Sequence, residues 1–232
     1  PRQRRQHHDG RNPARGLTVL LYDGESEFQD YTRATLTDLG DLILKHSSNR
    51  PLVILVDGRS AGGKTTVARK LAATLNAALL STDDFAWWHS FFDWPEMLIN
   101  EGLAPLKAGQ PLDFTPPAWT EHGREGSITA APADVIVVEG VGAGQRDMRT
   151  AADVVVWVQA DAELARERGL ARDLLERPDP EENLRFWNEW MTAENAFQAI
   201  QQTWAVADFV ILGTPDYTIL GENEVLITIP SR

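Results

Sequence analysis

Residues 51–66 read PLVILVDGRSAGGKTT. The apolar run from Leu52 to Val56 gives way within two residues to a segment holding Gly58, Gly62 and Gly63, and the glycines stop at Lys64, Thr65 and Thr66. Behind them, KTTVARKLAATLN (64–76) has the apolar spacing of a helix. Strand, glycine turn and helix form the setting in which Gly58-x4-Gly63-Lys64-Thr65 fits the phosphate-cradling P-loop pattern. Glycines let the backbone wrap closely around a phosphate with its N–H groups turned inward. The helix that follows adds the positive end of its dipole. On this reading Gly58, Ser60, Ala61, Gly62, Gly63, Lys64, Thr65 and Thr66 hold nucleotide phosphate. Lys64 bridges the outer phosphates and the Thr65 hydroxyl ligates Mg²⁺.

Working outward, four further apolar runs read as buried strands: AALLS (77–81), DVIVV (134–138), DVVVWV (153–158) and DFVIL (208–212). Helix-like stretches separate them, among them DAELARERGLARDLLER (161–177). Continuous apolar strands alternating with helices imply βαβ units and a parallel sheet covered on both faces. EVLITI (224–229) is expected to add an edge strand. LTVLLYDG (17–24) reads as a short strand, and ESEFQDYTRATLTDLGDLILKH (25–46) as an amphipathic helix that SSNRP terminates. The expected organisation is a basic tail (1–16) and one domain (17–232). That domain divides into a lead-in (17–50) and a core (51–213), with an insert rich in Trp, Phe and Pro at 85–127.

The chain has 232 residues and a formal net charge of −12, which argues against general affinity for nucleic acid or anionic membranes. It has no cysteine, which excludes disulfides and thiol catalysis and suits a cytoplasmic setting. The five histidines lack metal-ligand spacing. No apolar run approaches the roughly 20 residues that cross a bilayer. The opening stretch PRQRRQHHDGRNPARG reads as a solvated tail without a secretory apolar core. Nothing in the pattern fixes an oligomeric state.

A P-loop serves GTPases, transport ATPases and kinases alike. The chain lacks an Asn-Lys-x-Asp guanine reader and a Ser-Gly-Gly-Gln transporter signature. It does have carboxylates where ligands of open α/β sheets bind, at the carboxyl ends of strands. STDDF (81–85) places Asp83 and Asp84 after the second strand, and VVEG (137–140) places Glu139 after the third. Asp83 can ligate Mg²⁺ and accept a proton from an attacking hydroxyl. Asp84 reads equally as a helix cap. Glu139 occupies the position of a Mg²⁺-holding acid. Arg168 and Arg172 stand four residues apart on one helical face, placed to clamp a migrating phosphoryl group or to salt-bridge with their acidic neighbours. Trp187, Trp190 and Trp204 read as the core face of one C-terminal helix. The insert aromatics, with His89 and His122, can reach an acceptor.

VDGRSAGGKTT, STDDF, FDWPEML, PADVIVVEG and ERGLARD, in this order, resemble the uridine kinases and their relatives, which include phosphoribulokinase and pantothenate kinase. The likeness runs over residues 51–213. It implies a five-stranded parallel sheet of order 2-3-1-4-5 with a mobile lid, and transfer of the γ-phosphoryl of ATP, with Mg²⁺, to a hydroxyl of a small metabolite. It implies Asp83 as base, Glu139 as Mg²⁺ holder and Arg168 and Arg172 as lid arginines, with Arg177 a further one. It implies Asp93, in Phe92-Asp93-Trp94-Pro95, as the contact to a nucleoside sugar. One departure concerns the acceptor pocket. Where the family carries a Tyr-Asp pair before an aromatic of the base pocket, this chain has Pro117-Ala118 before Trp119, which the resemblance implies as that substrate-contacting aromatic. A uridine-like nucleoside is the expected acceptor. Pantothenate, a vitamin-like riboside and a sugar are the alternatives, and a nucleotide-binding regulator without turnover is the non-enzymatic one.

Overall fold

The computed structural model describes residues 20–214 and 220–230. The basic tail 1–16 therefore lies outside the described residues, as does most of the expected strand 17–24. Its described part, from Leu20 to Gly24, is a loop rather than a strand.

The chain opens with β1 (Thr32–Thr35), α1 (Leu36–His46), β2 (Leu52–Gly58), α2 (Lys64–Leu75), β3 (Ala78–Ser81) and α3 (Thr82–Ala86). The insert follows, with α4 (Pro95–Met97), a π-helical segment (Leu98–Leu103), α5 (Ala104–Lys107), β4 (Leu112–Phe114), α6 (Pro117–Glu121) and β5 (Ile128–Ala130). Then come β6 (Val135–Glu139), α7 (Arg146–Arg149), β7 (Val154–Gln159), α8 (Ala162–Asp173) and α9 (Pro180–Gln201). A 3-10 turn (Thr203–Val206), β8 (Phe209–Leu212) and β9 (Glu224–Thr228) complete the described chain.

Seven strands form one sheet in the order β1-β9-β8-β7-β2-β6-β3. The five from β3 to β8 pair in parallel, whereas β9 joins β8 antiparallel and β1 joins β9 antiparallel. The sheet thus exceeds the five strands expected, and β9 is not its edge. That place belongs to β1, four residues cut from what reads as the start of a helix. The reason is local. Thr35 Oγ1 accepts from Asp38 N at 3.0 Å while Asp38 Oδ2 accepts from Thr35 N at 3.1 Å, a reciprocal cap that fixes the helix start at Leu36. Phe28 and Tyr31, assigned to that helix by spacing, lie ahead of it in the loop.

Strand β2 is buried at every position and divides its side chains between two cores, as a period of two requires. Leu52, Ile54 and Val56 join Leu36, Leu39 and Ile43 of α1 and Val67 and Leu71 of α2 on one face. Val53 and Leu55 join Leu80, Phe85, Trp94, Leu98, Trp157 and Trp204 on the other. Each such Leu or Ile contributes about 1.5–3 kcal/mol by leaving water. Trp204 thereby belongs to the 3-10 turn and not to α9 with Trp187 and Trp190.

Helices α8 and α9 pair beside the sheet. Asp161 caps α8 by accepting from Leu164 N at 2.9 Å, and Asp179 caps α9 by accepting from Glu181 N at 2.9 Å. Gly169 is where they touch: a Cβ there would lie 1.9 Å from the Trp187 ring.

Candidate active site

The phosphate-type loop joins the carboxyl end of β2 to the first turn of α2. Its curvature needs two left-handed residues, Ala61 at φ 56° and Gly63 at φ 99°. At Gly63 any Cβ would also come within 2.8 Å of the Gly213 carbonyl, so glycine is required twice over. Gly63 is the N-cap of α2, and no side chain caps its amides. Open helix-terminal N–H groups behind a loop too tight for side chains fit a phosphate group. Lys64 is buried, with Nζ donating to the Arg59 carbonyl at 3.4 Å. Thr66 is exposed on the next position of the helix.

Register brings the acids to the same edge. Glu139, the last residue of β6, pairs with Val56 of β2 on one side and Ser81 of β3 on the other. Its carboxylate accepts from Thr65 Oγ1 at 2.9 Å. Burial pushes the Glu139 carboxyl above its ordinary range; Lys64 and the Thr65 hydrogen bond oppose the shift and Asp83 adds to it. Asp83 stands exposed in the first turn of α3, two residues past the end of β3. Among the described residues no group of three or more His, Asp or Glu could hold a metal unaided. Two carboxylates and a hydroxyl are the hard oxygen set that suits Mg²⁺ when phosphate supplies further ligands.

Ser81 and not Asp84 is the N-cap of α3. Asp84 instead braces the insert: its Oδ1 accepts from Arg124 at 3.1 Å and its carbonyl accepts from the Trp119 indole at 2.9 Å. That brace corrects the expectation for Trp119. Only 4% of it is exposed, and the Arg124 guanidinium covers its ring at 3.4 Å, so it offers no open stacking face. The open aromatics are Trp87, Trp88 and Phe91, and Trp88 stacks on His122 at 4.9 Å. Asp93 is exposed, in a turn fastened by its own N–H to Ser90 Oγ at 3.2 Å.

Arg168 and Arg172 share α8 but not a destination. Arg168 donates toward the Gly213 carbonyl at 3.5 Å, beside the phosphate loop. Arg172 is turned onto its neighbour Asp173, with Nη2 at 2.7 Å from Oδ1. Arg177 lies over the Phe186 ring at 3.9 Å.

No family model matches the chain. Among known proteins, a uridine kinase of Deinococcus deserti is 33% identical over 149 residues, which span 55% of this chain and 71% of that protein. The chain belongs to the uridine kinase family. Uridine-cytidine kinase A of Dictyostelium discoideum is likewise 33% identical, over 57% of this chain and 30% of its own length. A solved structure of a possible uridine kinase from Bacillus stearothermophilus agrees in fold, with a TM-score of 0.53 at 22% identity over 75% of this chain and 96% of its own. As a member of this family the chain is a phosphotransferase with an alcohol group as acceptor. Among its described residues no helix is long and apolar enough to cross a membrane.

Inside this family frame lie residues that spacing did not single out. Asp57, wholly buried at the root of the loop, accepts from four donors: Gly58 N at 2.7 Å, Gly142 N at 2.9 Å, Gly144 N at 3.1 Å and Gln198 Nε2 at 3.3 Å. Burial raises its carboxyl above the usual range, and the three backbone N–H groups pull it back. It ties the phosphate loop to the glycine loop after Glu139, whose Gln145 Nε2 in turn holds the Phe92 carbonyl at 3.2 Å. Asp57→Ala strands these donors in a dry site, at a net cost on the order of 2 kcal/mol. In a chain of this size that lowers the melting temperature by roughly 4–8 °C. Scanning calorimetry measures it, and an unchanged midpoint contradicts the bracing role.

Proposed function

We propose that the protein is an ATP- and Mg²⁺-dependent nucleoside kinase that moves the γ-phosphoryl group of ATP to a hydroxyl of a uridine-like acceptor. The observation that carries this reading is the meeting of Lys64, Thr65, Asp83 and Glu139 at one sheet edge beside an uncapped helix terminus. The residues that would hold MgATP are the backbone of 58–65, Lys64 and, toward the metal, Thr65, Glu139 and Asp83. The bound metal would supply charge neutralisation between the phosphates. Asp83, open to solvent, takes the proton of the acceptor hydroxyl. The glycine loop and Lys64 hold the phosphate chain in line, and Arg168 closes over it, with Arg172 joining once it leaves Asp173. Catalysis of this kind rests mainly on positioning and on preorganised charge.

Support for the nucleoside comes from the uridine kinases that this chain resembles. It comes also from Trp87, Trp88 and Phe91, exposed side chains that follow Asp83 within eight residues, since rings of this kind stack on bases. A phosphorylated acceptor finds little to bind it in the insert. Lys107 Nζ donates to the Ala151 carbonyl at 2.7 Å, and Arg124 is engaged by Asp84. The lack of cysteine suits a reducing cytoplasm. An ADP-release assay with MgATP and a panel of uridine, cytidine, pantothenate, ribosides and sugars tests the reading. Uridine or cytidine is expected to stimulate ADP release most. Stimulation by pantothenate or a sugar alone would overturn the nucleoside assignment and place the change of specificity at Pro117-Ala118.

A further inference from the structure

Glu194 on α9 is completely buried, and no cation pairs with it directly among the described salt bridges. Burying an unpaired carboxylate is expensive, so each of its bonds matters. Oε1 accepts from the Ser60 backbone N–H at 3.1 Å and from the Tyr22 hydroxyl. Oε2 accepts from the Trp190 indole N–H at 2.6 Å, and the same N–H lies 2.7 Å from Ser60 Oγ. Ser60 is therefore gripped at backbone and side chain by one turn of α9. Tyr22 completes the grip from the lead-in loop. Its ring carries the buried Arg59 guanidinium at 3.7 Å, and burial, reinforced by Glu194, keeps its hydroxyl protonated as a donor.

The residue after Ser60 is Ala61, a non-glycine held in left-handed conformation at φ 56°. Such a residue is strained and persists only where its surroundings enforce it. Two residues after Ala61 the loop reaches Gly63, the N-cap of α2, whose first amides no side chain caps. The helix that holds Ser60 is also the one whose Trp187 packs on Gly169, between the two lid arginines of α8.

We propose that Glu194 is a positioning residue for phosphoryl transfer. It holds the Ser60 end of the phosphate loop in its strained, binding-ready curve and anchors that curve to the helix packed against the lid. This rests on the reading of the loop as the site of MgATP. The carboxylate cannot be replaced by its amide, because both oxygens face donors. A glutamine would present its NH₂ group to one of them.

The test is calorimetric titration of wild type, Glu194→Gln and Trp190→Phe with MgATP and, separately, with uridine, alongside thermal unfolding. Glu194→Gln is expected to raise the Kd for MgATP at least about tenfold, the value of a charge-assisted hydrogen bond. Uridine affinity stays within about twofold, because Glu194→Gln leaves the packing of the Trp190 ring on Phe91 and Phe92, beside Asp93, in place. Trp190→Phe, which removes one donor, raises the MgATP Kd by about threefold or more. A MgATP Kd within twofold of wild type in a folded Glu194→Gln overturns the proposal. So does an equal weakening toward MgATP and uridine with a lowered melting temperature, which is the mark of a merely structural residue. If Glu194→Gln does not fold, Trp190→Phe decides by its MgATP Kd alone, since Trp190 also packs on Phe91 and Phe92 beside Asp93; a Kd within twofold of wild type then overturns the proposal. Wild type that binds no MgATP removes the loop reading and this proposal with it. Wild type that binds MgATP but not uridine removes only the acceptor reading, and the melting temperature then serves as the control.

Discussion

Lys64→Ala lowers kcat by on the order of 10³-fold, because it deletes a buried ammonium held inside the phosphate loop. Lys64 is held by α2 on one side and by the Arg59 carbonyl on the other, so its ammonium is placed before any nucleotide arrives. A preplaced charge in a dry site needs no reorganisation as negative charge shifts during transfer. Glu139 shares this field, and Lys64 is the largest influence that opposes the upward push of burial on that carboxyl. Removing the lysine thus also weakens the carboxylate form of the proposed metal holder. Steady-state kinetics with saturating acceptor measure the loss. A kcat within tenfold of wild type contradicts the role given to Lys64.

Asp83→Asn is expected to lose about 10³-fold in kcat, within the range of a general base. The substitution keeps size and polarity and removes the negative charge, and with it the ability to take a proton and to hold the metal as a carboxylate. Asp83 lies on the first turn of α3, outside the core that Phe85 anchors two residues later, so the fold is not at stake. The KM for the acceptor is expected to stay within a few-fold, which marks an interaction made mainly in the transition state. By comparison, Trp88→Phe changes kcat by less than about tenfold, since it keeps a stacking ring. Losses of equal size in both variants contradict the division of labour.

The parts of the site that were legible are those written in short spans. Gly58 to Thr65 is eight consecutive residues that match one phosphate-loop spacing, Glu139 ends one strand and Asp83 follows another by two residues. The parallel sheet was equally visible, because Val- and Leu-rich runs such as 52–56 have few other homes. What was not legible depends on distance in the chain. Glu194 meets Ser60 across 134 residues, and no local pattern announces that pairing. Asp57 reads as the polar end of an apolar run, and its four donors come from three separate segments. Trp119 shows the limit of residue type: an aromatic near an acceptor site can stack on a ligand or on the core. The Asp84–Arg124 brace decided for the core. Arg172 shows the same limit for charge, since Asp173 beside it takes up the guanidinium in this structure. The start of α1 was missed for a different reason: the apolar spacing of Phe28 and Tyr31 mimics a helix, while the Thr35–Asp38 cap that marks its real start is a weaker signal.

The central claim, transfer of phosphate to a nucleoside hydroxyl at Asp83, is tested most directly by product analysis. Wild type and Asp83→Asn are incubated with MgATP and uridine, quenched, and the nucleotides separated and quantified. Wild type is expected to form one phosphorylated uridine for each ADP, and Asp83→Asn neither product above background. ADP without phosphorylated nucleoside, or equal product from both proteins, would contradict that claim.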